Sequence, residues 1–172
     1  MNCCMSFNRY NQLFEIMENK IKWMKYAFSE AEKAHGNDEV PIGSVIIKDE
    51  KIIGRGYNQV ESLIDCTAHS EVIAITSASN YLNNWRLNGC SLYVTKEPCV
   101  MCYGAIVNAR ITNLYFGVSD KEKGFRTVVN ENKLFYSKHL KLVESGIMKN
   151  ECKGIIKDFF IKKRKNSNNS SE

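Results

Sequence analysis

The sequence contains no long apolar run and no recognisable targeting segment. No stretch approaches the roughly 20 apolar residues that a membrane-spanning helix needs. Residues 1–6 lack the basic region and the apolar core that a secretory signal peptide combines. Internal repeats and linkers are also missing. These absences argue against a membrane partner and predict a cytoplasmic protein.

Disulfide bonds are not expected, although seven cysteines occur among the 172 residues. The number is odd, and one domain of this length buries a sizeable core without covalent cross-links. Hydrophobic residues make up 44% of the chain and charged residues 25%, values that are ordinary for a globular protein. Two cysteines lie in a metal-binding pattern. The others are predicted to be reduced thiols, mostly small apolar core residues: Cys3, Cys4, Cys66, Cys90 and Cys152.

The formal net charge is +5 and the isoelectric point is about 8.8. A mild basic excess is compatible with a polyanionic partner such as nucleic acid. A general bias of the sequence towards lysine and asparagine explains the same charge equally well. The charge therefore does not decide the kind of partner.

One histidine and two cysteines form the pattern on which the functional prediction rests. His69 is followed two residues later by Glu71, and Pro98 directly precedes Cys99, with Cys102 three residues further on. Three such ligands leave the fourth position of a tetrahedral Zn²⁺ open for water, which is typical of a catalytic site. The order H-x-E…P-C-x-x-C is the signature of zinc-dependent nucleobase deaminases, in which the glutamate moves the protons.

The spacing of these residues suits two helix starts that meet at one ion. Cys99 and Cys102 are three residues apart and share one face of a helix. Pro98 fits the first turn of that helix, and Thr67 is the predicted N-cap of the helix that carries the histidine. Alone, a Cys-x-x-Cys pair is often structural or redox-active, and an H-x-E triplet is often accidental. Their combination, with proline before the first cysteine, favours the catalytic metal site.

Hydrophobic periodicity predicts an α/β protein. Two short β-rich runs around residues 48–51 predict a hairpin, and strand–helix–strand successions predict a partly parallel sheet. Residues 118–136 are predicted to form a long irregular segment, which is usually functional or mobile. The predicted helices cover about residues 18–35, 68–81, 98–108 and 151–163. The predicted strands cover residues 45–47, 52–53, 91–95, 113–117 and 140–143.

Both ends of the chain are predicted to lie outside the folded domain. Residues 1–17 are polar and predict an irregular N-terminal extension, residues 18–163 form the predicted deaminase domain, and residues 164–172 form a disordered polar tail. The basic cluster at residues 162–165 has two interpretations. It either contacts nucleic acid or is a solvated helix end that complements the helix dipole.

The segment after the predicted hairpin offers one further candidate. Gly54 and Gly56 predict a bulge or a close approach of another segment to the backbone. Asn58 lies at the end of the second predicted strand. Its amide offers a donor and an acceptor that suit the edge of a base, but asparagine is also a common turn residue.

Several longer segments narrow the interpretation to one family. They are residues 39–43 (EVPIG), 56–58 (GYN), 67–71 (TAHSE), 84–87 (NWRL), 92–95 (LYVT), 97–106 (EPCVMCYGAI), 116–117 (FG) and 158–160 (DFF). Over about residues 23–160 the sequence resembles the bacterial-type tRNA-specific adenosine deaminases, the TadA family. The metal motif alone indicates only the superfamily, whereas the segments CVMC, NWRL and DFF are specific to this family.

The resemblance implies a fold, a reaction and a partner. The implied fold is a three-layer α/β/α cytidine deaminase-like domain with a five-stranded mixed sheet. The implied reaction converts adenosine to inosine at the wobble position of a tRNA anticodon, with one Zn²⁺ per subunit of a homodimer. The last helix, with its basic end, would then lie along the anticodon stem-loop.

The resemblance also implies roles for residues outside the metal motif. Asn58 would contact the flipped-out base, and Asp120 would reach the ribose 2′-hydroxyl, which distinguishes RNA from DNA. Val40, Pro41 and Ala68 would belong to the substrate-binding site. The residues that would contact RNA near the end of the chain are Phe159, Lys162, Lys163 and Arg164.

Four positions depart from the pattern of the family. Ser70 replaces the usual alanine between the histidine and the glutamate, and it is small enough that we expect the site to survive. Lys96 stands where leucine is common, Cys66 where proline is common, and Lys138 where asparagine is usual. We expect the change at Lys138 to affect RNA contact rather than the chemistry.

Three functions are compatible with these observations. The first is a tRNA adenosine deaminase in which Glu71 takes a proton from zinc-activated water and returns it to the base. The second keeps the zinc chemistry but acts on a free base or nucleoside, such as guanine or cytosine. The third is a non-catalytic, zinc-containing RNA-binding partner, against which the presence of Glu71 argues.

Overall fold

The computed structural model of the protein describes residues 2–129 and 138–169. Helices and strands alternate along most of these residues, as the periodicity predicts. The elements are α1 (Asn2–Gly36), β1 (Gly43–Lys48), β2 (Lys51–Tyr57), α2 (Val60–Leu63), α3 (Ser70–Leu82), β3 (Ser91–Lys96), α4 (Val100–Asn108), β4 (Asn113–Val118), α5 (Phe125–Val129), β5 (Leu142–Ser145) and α6 (Lys149–Asn169).

The five strands form one mixed sheet in the order β2-β1-β3-β4-β5. Strand β1 is antiparallel to both β2 and β3, whereas β3, β4 and β5 are parallel to one another. The predicted hairpin is confirmed: Asp49 and Glu50 join β1 to β2 with φ angles of 47° and 56°. Positive φ at both central residues matches the right-handed twist of the two strands.

Alternate residues of β1 face different layers of the molecule. Val45 and Ile47 belong to the core beneath α1 and α6, which also contains Met24. Ile46 faces the other way, into the core beneath α3 and α4 that contains Ala74. Full burial of such side chains contributes about 1.5–3 kcal/mol each. The three-layer α/β/α architecture with a five-stranded mixed sheet is therefore confirmed.

Two glycines of β2 allow α3 to lie directly on the sheet. A Cβ at Gly54 or Gly56 would overlap the backbone of α3, near Ala74 and Ser70 respectively. The predicted close approach to the backbone is confirmed, and the approaching segment is α3. This contact fixes the height of the start of α3 above the sheet.

The ends of the chain differ from the prediction. Residues 2–17 belong to α1 instead of an irregular extension, and residues 164–169 belong to α6 instead of a disordered tail. The first segment contains neither proline nor glycine before Gly36, and the last segment contains neither after Gly154. The residues that usually end a helix are therefore missing from both extensions. Helix α5 lies within the segment predicted to be irregular, of which residues 130–137 are outside the described part.

Among the described residues, none of the helices combines the length and the apolar character that crossing a membrane requires. The cysteines whose side chains are described are free thiols, namely Cys66, Cys90, Cys99, Cys102 and Cys152. Cys152 is fully buried next to Gly117, where it packs as a small apolar side chain.

Candidate active site

The starts of α3 and α4 carry the four residues of the metal motif. His69 and Cys99 are the N-cap residues of these helices, both with extended backbone, and Glu71 and Cys102 lie in the first turns. Extended caps direct the side chains of both helices into the space between them. The unpaired N–H groups of a helix start favour anionic side chains such as thiolate and carboxylate.

The prediction of both helix starts was wrong by a few residues. Thr67 does not cap α3, because its backbone N–H and hydroxyl both donate to Oδ1 of Asp65, at 2.8 Å each. Pro98 precedes the cap of α4 and does not occupy its first turn. These hydrogen bonds to Asp65 form a turn in the loop before α3, and His69 follows this turn as the N-cap residue.

The three predicted ligands meet in space. Nδ1 of His69 lies 3.4 Å from Sγ of Cys102 and 3.7 Å from Sγ of Cys99, and all three atoms lie within 4.8 Å of one another. In a tetrahedral site with bonds of about 2.3 Å to sulfur and 2.05 Å to nitrogen, the nitrogen–sulfur distance is about 3.6 Å. One nitrogen and two sulfur ligands at this spacing fit a single metal ion and leave one tetrahedral position open.

Glu71 lies beside these ligands and is almost completely buried, with 4% of its surface exposed. Its Oε2 accepts a hydrogen bond of 3.0 Å from the hydroxyl of Ser70, and the Oγ atoms of Ser70 and Ser44 are 2.7 Å apart. An ionised carboxylate only accepts hydrogen bonds, so the Ser70 proton points to Glu71 and Ser44 donates to Ser70. A buried chain of two hydroxyls therefore ends at the carboxylate.

Burial and hydrogen bonding change the proton affinity of these groups. Burial away from solvent raises the pKa of Glu71, and a raised pKa suits a carboxyl that must take up and release a proton near neutral pH. The hydrogen bond from the Cys102 thiol, together with His69, lowers the pKa of Cys99 to about 4. Cys99 is therefore a thiolate at neutral pH, which is the form that binds metals.

Asn58 is buried at the end of β2, with 5% of its surface exposed. Its Nδ2 donates to Oε2 of Glu39 at 3.0 Å, and the other oxygen of Glu39 accepts from the N–H of Ser62 at 2.8 Å. Because the carboxylate only accepts, Glu39 fixes which end of the Asn58 amide faces it. The amide is thus held in one orientation rather than free to turn.

A third buried carboxylate, that of Glu97, shapes the loop after β4. Glu97 accepts from the backbone N–H of Asp120 at 3.0 Å and from that of Arg126 at 3.1 Å. Asp120 in turn forms an ion pair of 2.7 Å with Lys96. Burial alone would raise the pKa of Asp120, but Lys96 and two backbone N–H groups outweigh it and hold the pKa at about 2. Asp120 is therefore a fixed anion at neutral pH.

A cavity of about 1010 Å³ is lined by His69, Asn58 and Lys96 and by residues of α6. Of the predicted substrate-binding residues, Val40 lines the cavity. Pro41 follows Val40 and Ala68 precedes His69 in the sequence, and both are buried. Its lining residues include Asn37, Asp38, Glu39, Val40, Ile42, Asn58, Val60, Glu61, Ser62, His69, Lys96, Lys123, Phe159, Phe160 and Lys163.

Helix α6 places the predicted RNA contacts at different depths. Phe159 is 4% exposed and packs edge-on against His35, whereas Phe160 is 43% exposed. Lys163 lines the cavity, and Lys162 and Arg164 are exposed beside it. Phe160, which was not among the predicted contacts, thus has more surface available to a base than Phe159.

The contacts of four polar residues in the site carry no clear signal in the sequence. Glu39 and Glu97 lie within the segments EVPIG and EPCVMC, but a charged residue in such a segment is usually exposed. Ser44 lies in an apolar strand, and Lys96 resembles an ordinary strand end. Only the tertiary structure brings these side chains to the ligands and to the loop after β4.

Comparison with known proteins agrees with this geometry. The family model of the MafB19-like deaminases matches residues 18–164. The tRNA-specific adenosine deaminase of Buchnera aphidicola is 44% identical over 142 residues, which cover 83% of this chain and 94% of that protein. The tRNA-specific adenosine deaminase of Streptococcus pyogenes is 39% identical over 158 residues, which cover 90% and 98% respectively.

A solved structure shows the same fold. It comes from biochemical and structural studies of A-to-I editing by tRNA:A34 deaminases at the wobble position of transfer RNA. The two chains superpose with a TM-score of 0.72 at 38% sequence identity, covering 78% of this chain and 98% of the other. The predicted resemblance is confirmed, and the chain belongs to the tRNA-specific adenosine deaminase family of the MafB19-like deaminases.

Proposed function

We propose that this protein hydrolytically deaminates adenosine to inosine at the wobble position of a tRNA anticodon, with one Zn²⁺ per subunit. The observation that carries the proposal is the meeting of His69, Cys99 and Cys102 beside the buried Glu71 in a member of this family. We assign this activity to the domain at residues 18–163.

The chemistry is divided between the metal and one carboxylate. His69, Cys99 and Cys102 would hold the zinc ion, which lowers the pKa of a water molecule from 15.7 towards about 7 when it is bound. Glu71 accepts a proton from the attacking water and delivers it to a ring nitrogen of the base. It then transfers the second proton of the added water to the exocyclic amino group, which leaves as ammonia, so that the same carboxyl acts as general base and as general acid.

The surrounding residues bind the substrate and select it. Asn58, held by Glu39, contacts the edge of the extruded base, with Val40, Pro41 and Ala68 completing its surroundings. Asp120 accepts a hydrogen bond from the ribose 2′-hydroxyl, a group that DNA lacks. An unpaired loop base suits this site because its extrusion costs less than that of a base in a duplex.

The RNA would continue from the cavity across α6. Lys162, Lys163 and Arg164 provide positive charge for the phosphates, and Phe159 and Phe160 provide aromatic surface. Phe159, Phe160 and Lys163 line the same cavity as His69, which supports an extended polyanionic substrate.

The test is a deamination assay on zinc-loaded protein, read by mass spectrometry. The substrates are an anticodon stem-loop with a wobble adenosine, the same loop with deoxyadenosine, and free adenosine, cytidine, cytosine and guanine. We expect inosine in the RNA loop and little product elsewhere. Glu71→Gln is the matched control, since it keeps the volume of the side chain but cannot transfer the proton.

The two other functions predict different outcomes. A deaminase of free bases would yield product from a free base, and it would be insensitive to replacement of Lys162, Lys163 and Arg164 by glutamine. A non-catalytic RNA-binding partner would bind zinc and the stem-loop without releasing ammonia. Either result would overturn the proposed function.

We also propose that the protein is a homodimer, which rests on the family resemblance alone. Light scattering coupled to size-exclusion chromatography tests it. A cytoplasmic location stays a prediction.

A further inference from the structure

Lys96 is the last residue of β3, and its side chain lines the cavity together with His69 and Asn58. Its Nζ lies 2.7 Å from Oδ2 of Asp120. The side chain of Asp120 is only 13% exposed and that of Lys96 is 30% exposed. The ion pair is therefore partly shielded from water, which makes it stronger than an ordinary surface pair.

The two carboxylate oxygens of Asp120 have different partners, and Oδ2 is the one that contacts Lys96. Oδ1 accepts from the backbone N–H groups of Glu122 and Lys123, at 2.9 and 3.1 Å. The backbone N–H of Asp120 is bound by Glu97. These contacts fix the loop and one carboxylate oxygen, whereas Oδ2 is directed by the ammonium group of Lys96.

Asp120 is paired with a residue that lines the cavity, and a carboxylate held there can accept a hydrogen bond from a donor group of the substrate. In a nucleic acid strand the ribose 2′-hydroxyl is the sugar group that donates, and deoxyribose lacks it. The same carboxylate would repel the phosphates on either side unless a cation compensates its charge. Lys96 meets both requirements, since it orients one oxygen and cancels the charge.

We propose that Lys96 is a positioning residue that holds Asp120 for recognition of the ribose 2′-hydroxyl, so that Lys96 contributes to the choice of RNA over DNA. This inference rests on the proposed function and concerns a position at which the sequence departs from the pattern that the resemblance implies. Lys96 acts through Asp120 and does not itself touch the reacting atoms.

The experiment compares two stem-loops that differ only in the 2′-hydroxyl of the wobble adenosine. Full-length, zinc-loaded wild type, Lys96→Met, Lys96→Arg and Lys123→Met are assayed for kcat and KM on each loop. Lys123 is the matched control, because it lines the same cavity and its side chain is exposed, but only its backbone contacts Asp120.

For Lys96→Met we expect the ratio of kcat/KM between the ribose and deoxyribose loops to fall about ten-fold, mainly through KM. Lys96→Arg restores the ratio, since arginine also pairs with a carboxylate. Lys123→Met weakens both loops equally and leaves the ratio unchanged. In an Asp120→Asn background, Lys96→Met has no further effect on the ratio.

An unchanged ratio in Lys96→Met would overturn the inference, as would an equal loss on both loops, which would indicate a simple phosphate contact. Lys96→Gln, with a shorter polar side chain, provides a second variant if the methionine variant folds poorly, and zinc content and Tm are checked for each protein. Failure of the proposed function is distinguishable, because the wild type would then not deaminate the ribose loop at all.

Discussion

Replacement of Ser70 by alanine tests the buried hydroxyl chain behind Glu71. Ser44 and Ser70 are completely buried and Glu71 is 4% exposed, so water cannot replace a lost hydrogen bond. Ser70→Ala removes a donor to a carboxylate, worth about 1.5–3 kcal/mol, and leaves the Ser44 hydroxyl without its acceptor. We expect the free energy of unfolding to fall by about 2–3 kcal/mol.

Two further variants separate the contributions of the two hydrogen bonds to the free energy of unfolding. Ser44→Ala removes only the outer hydrogen bond, since Ser70 still donates to Glu71, and should cost about 1 kcal/mol. In the double variant Ser44→Ala/Ser70→Ala no hydroxyl is left without a partner. Ser44→Ala should therefore cost almost nothing when it is added to Ser70→Ala, which gives a coupling energy of about 1 kcal/mol between the two positions.

The effect depends on pH in a direction that the structure fixes. Burial raises the pKa of Glu71 above its ordinary value of 4.5, and the hydrogen bond from Ser70 opposes this rise. A carboxyl that binds its proton more tightly when folded loses stability as the pH rises from its unfolded to its folded pKa. Because Ser70→Ala raises the folded pKa further, its destabilising effect is larger at pH 8 than at pH 5.

Urea unfolding of the metal-free proteins, followed by circular dichroism at both pH values, measures these quantities. With a slope of about 2 kcal/mol per molar urea, the expected loss lowers the midpoint by roughly 1–1.5 M. The acid limb of the kcat/KM profile should move to higher pH in the same variant. If Ser70→Ala unfolds within 0.2 M urea of the wild type (about 0.4 kcal/mol at this slope), or if the coupling is zero, the hydroxyl chain does not stabilise Glu71.

Three further predictions concern the site and its support. Glu71→Gln should retain zinc, measured by mass spectrometry of the metal, but lower kcat by about 10²–10⁴-fold in single-turnover assays. Gly56→Ala should lower stability by about 1–3 kcal/mol and reduce kcat, since its Cβ would overlap α3. The control Gly154→Ala, whose Cβ meets nothing within 4 Å, should not destabilise the protein in the same thermal melts. The stability difference between wild type and Asp120→Asn should be constant from pH 8 to about 5 and shrink towards pH 2, the folded pKa of Asp120.

The parts of the site that the sequence could predict are local. His69 and Glu71 belong to one helix start, and Cys99 and Cys102 belong to another. Their relative positions follow from the helix repeat once the helix is placed. The core strands were predictable for the same reason, because a short β-rich apolar run is a local property of the sequence.

The parts that could not be predicted depend on contacts between distant segments. Ser44 and Ser70 are 26 residues apart and meet because Gly54 and Gly56 let α3 lie low on the sheet. The length of α1 was missed for a different reason. Residues 2–17 lack a regular apolar face, and only the absence of helix-breaking residues favours a helix there.

The topology of the sheet explains why the site residues converge. Strand β1 is antiparallel to both β2 and β3, so β2 and β3 run in the same direction, as do β4 and β5. These four strands therefore end at one side of the sheet, where α3 and α4 begin and where β1 starts. Asn58 follows β2, Lys96 ends β3 and Asp120 follows β4.

Adjacent strands lie about 4.8 Å apart, so the start of α3 after β2 and that of α4 after β3 are separated by about two strand spacings. Side chains at the two N-caps can span such a gap to a shared ion, whereas residues in the middle of either helix would be too far above the sheet. The ends of the parallel strands β3 and β4 are direct neighbours, since Lys96 pairs with Val118 in the ladder. A lysine at the end of β3 thus reaches an aspartate two residues beyond the end of β4. The residue at the last position of β3 therefore sets the charge next to Asp120, although it is not one of the three residues that meet at the candidate metal site.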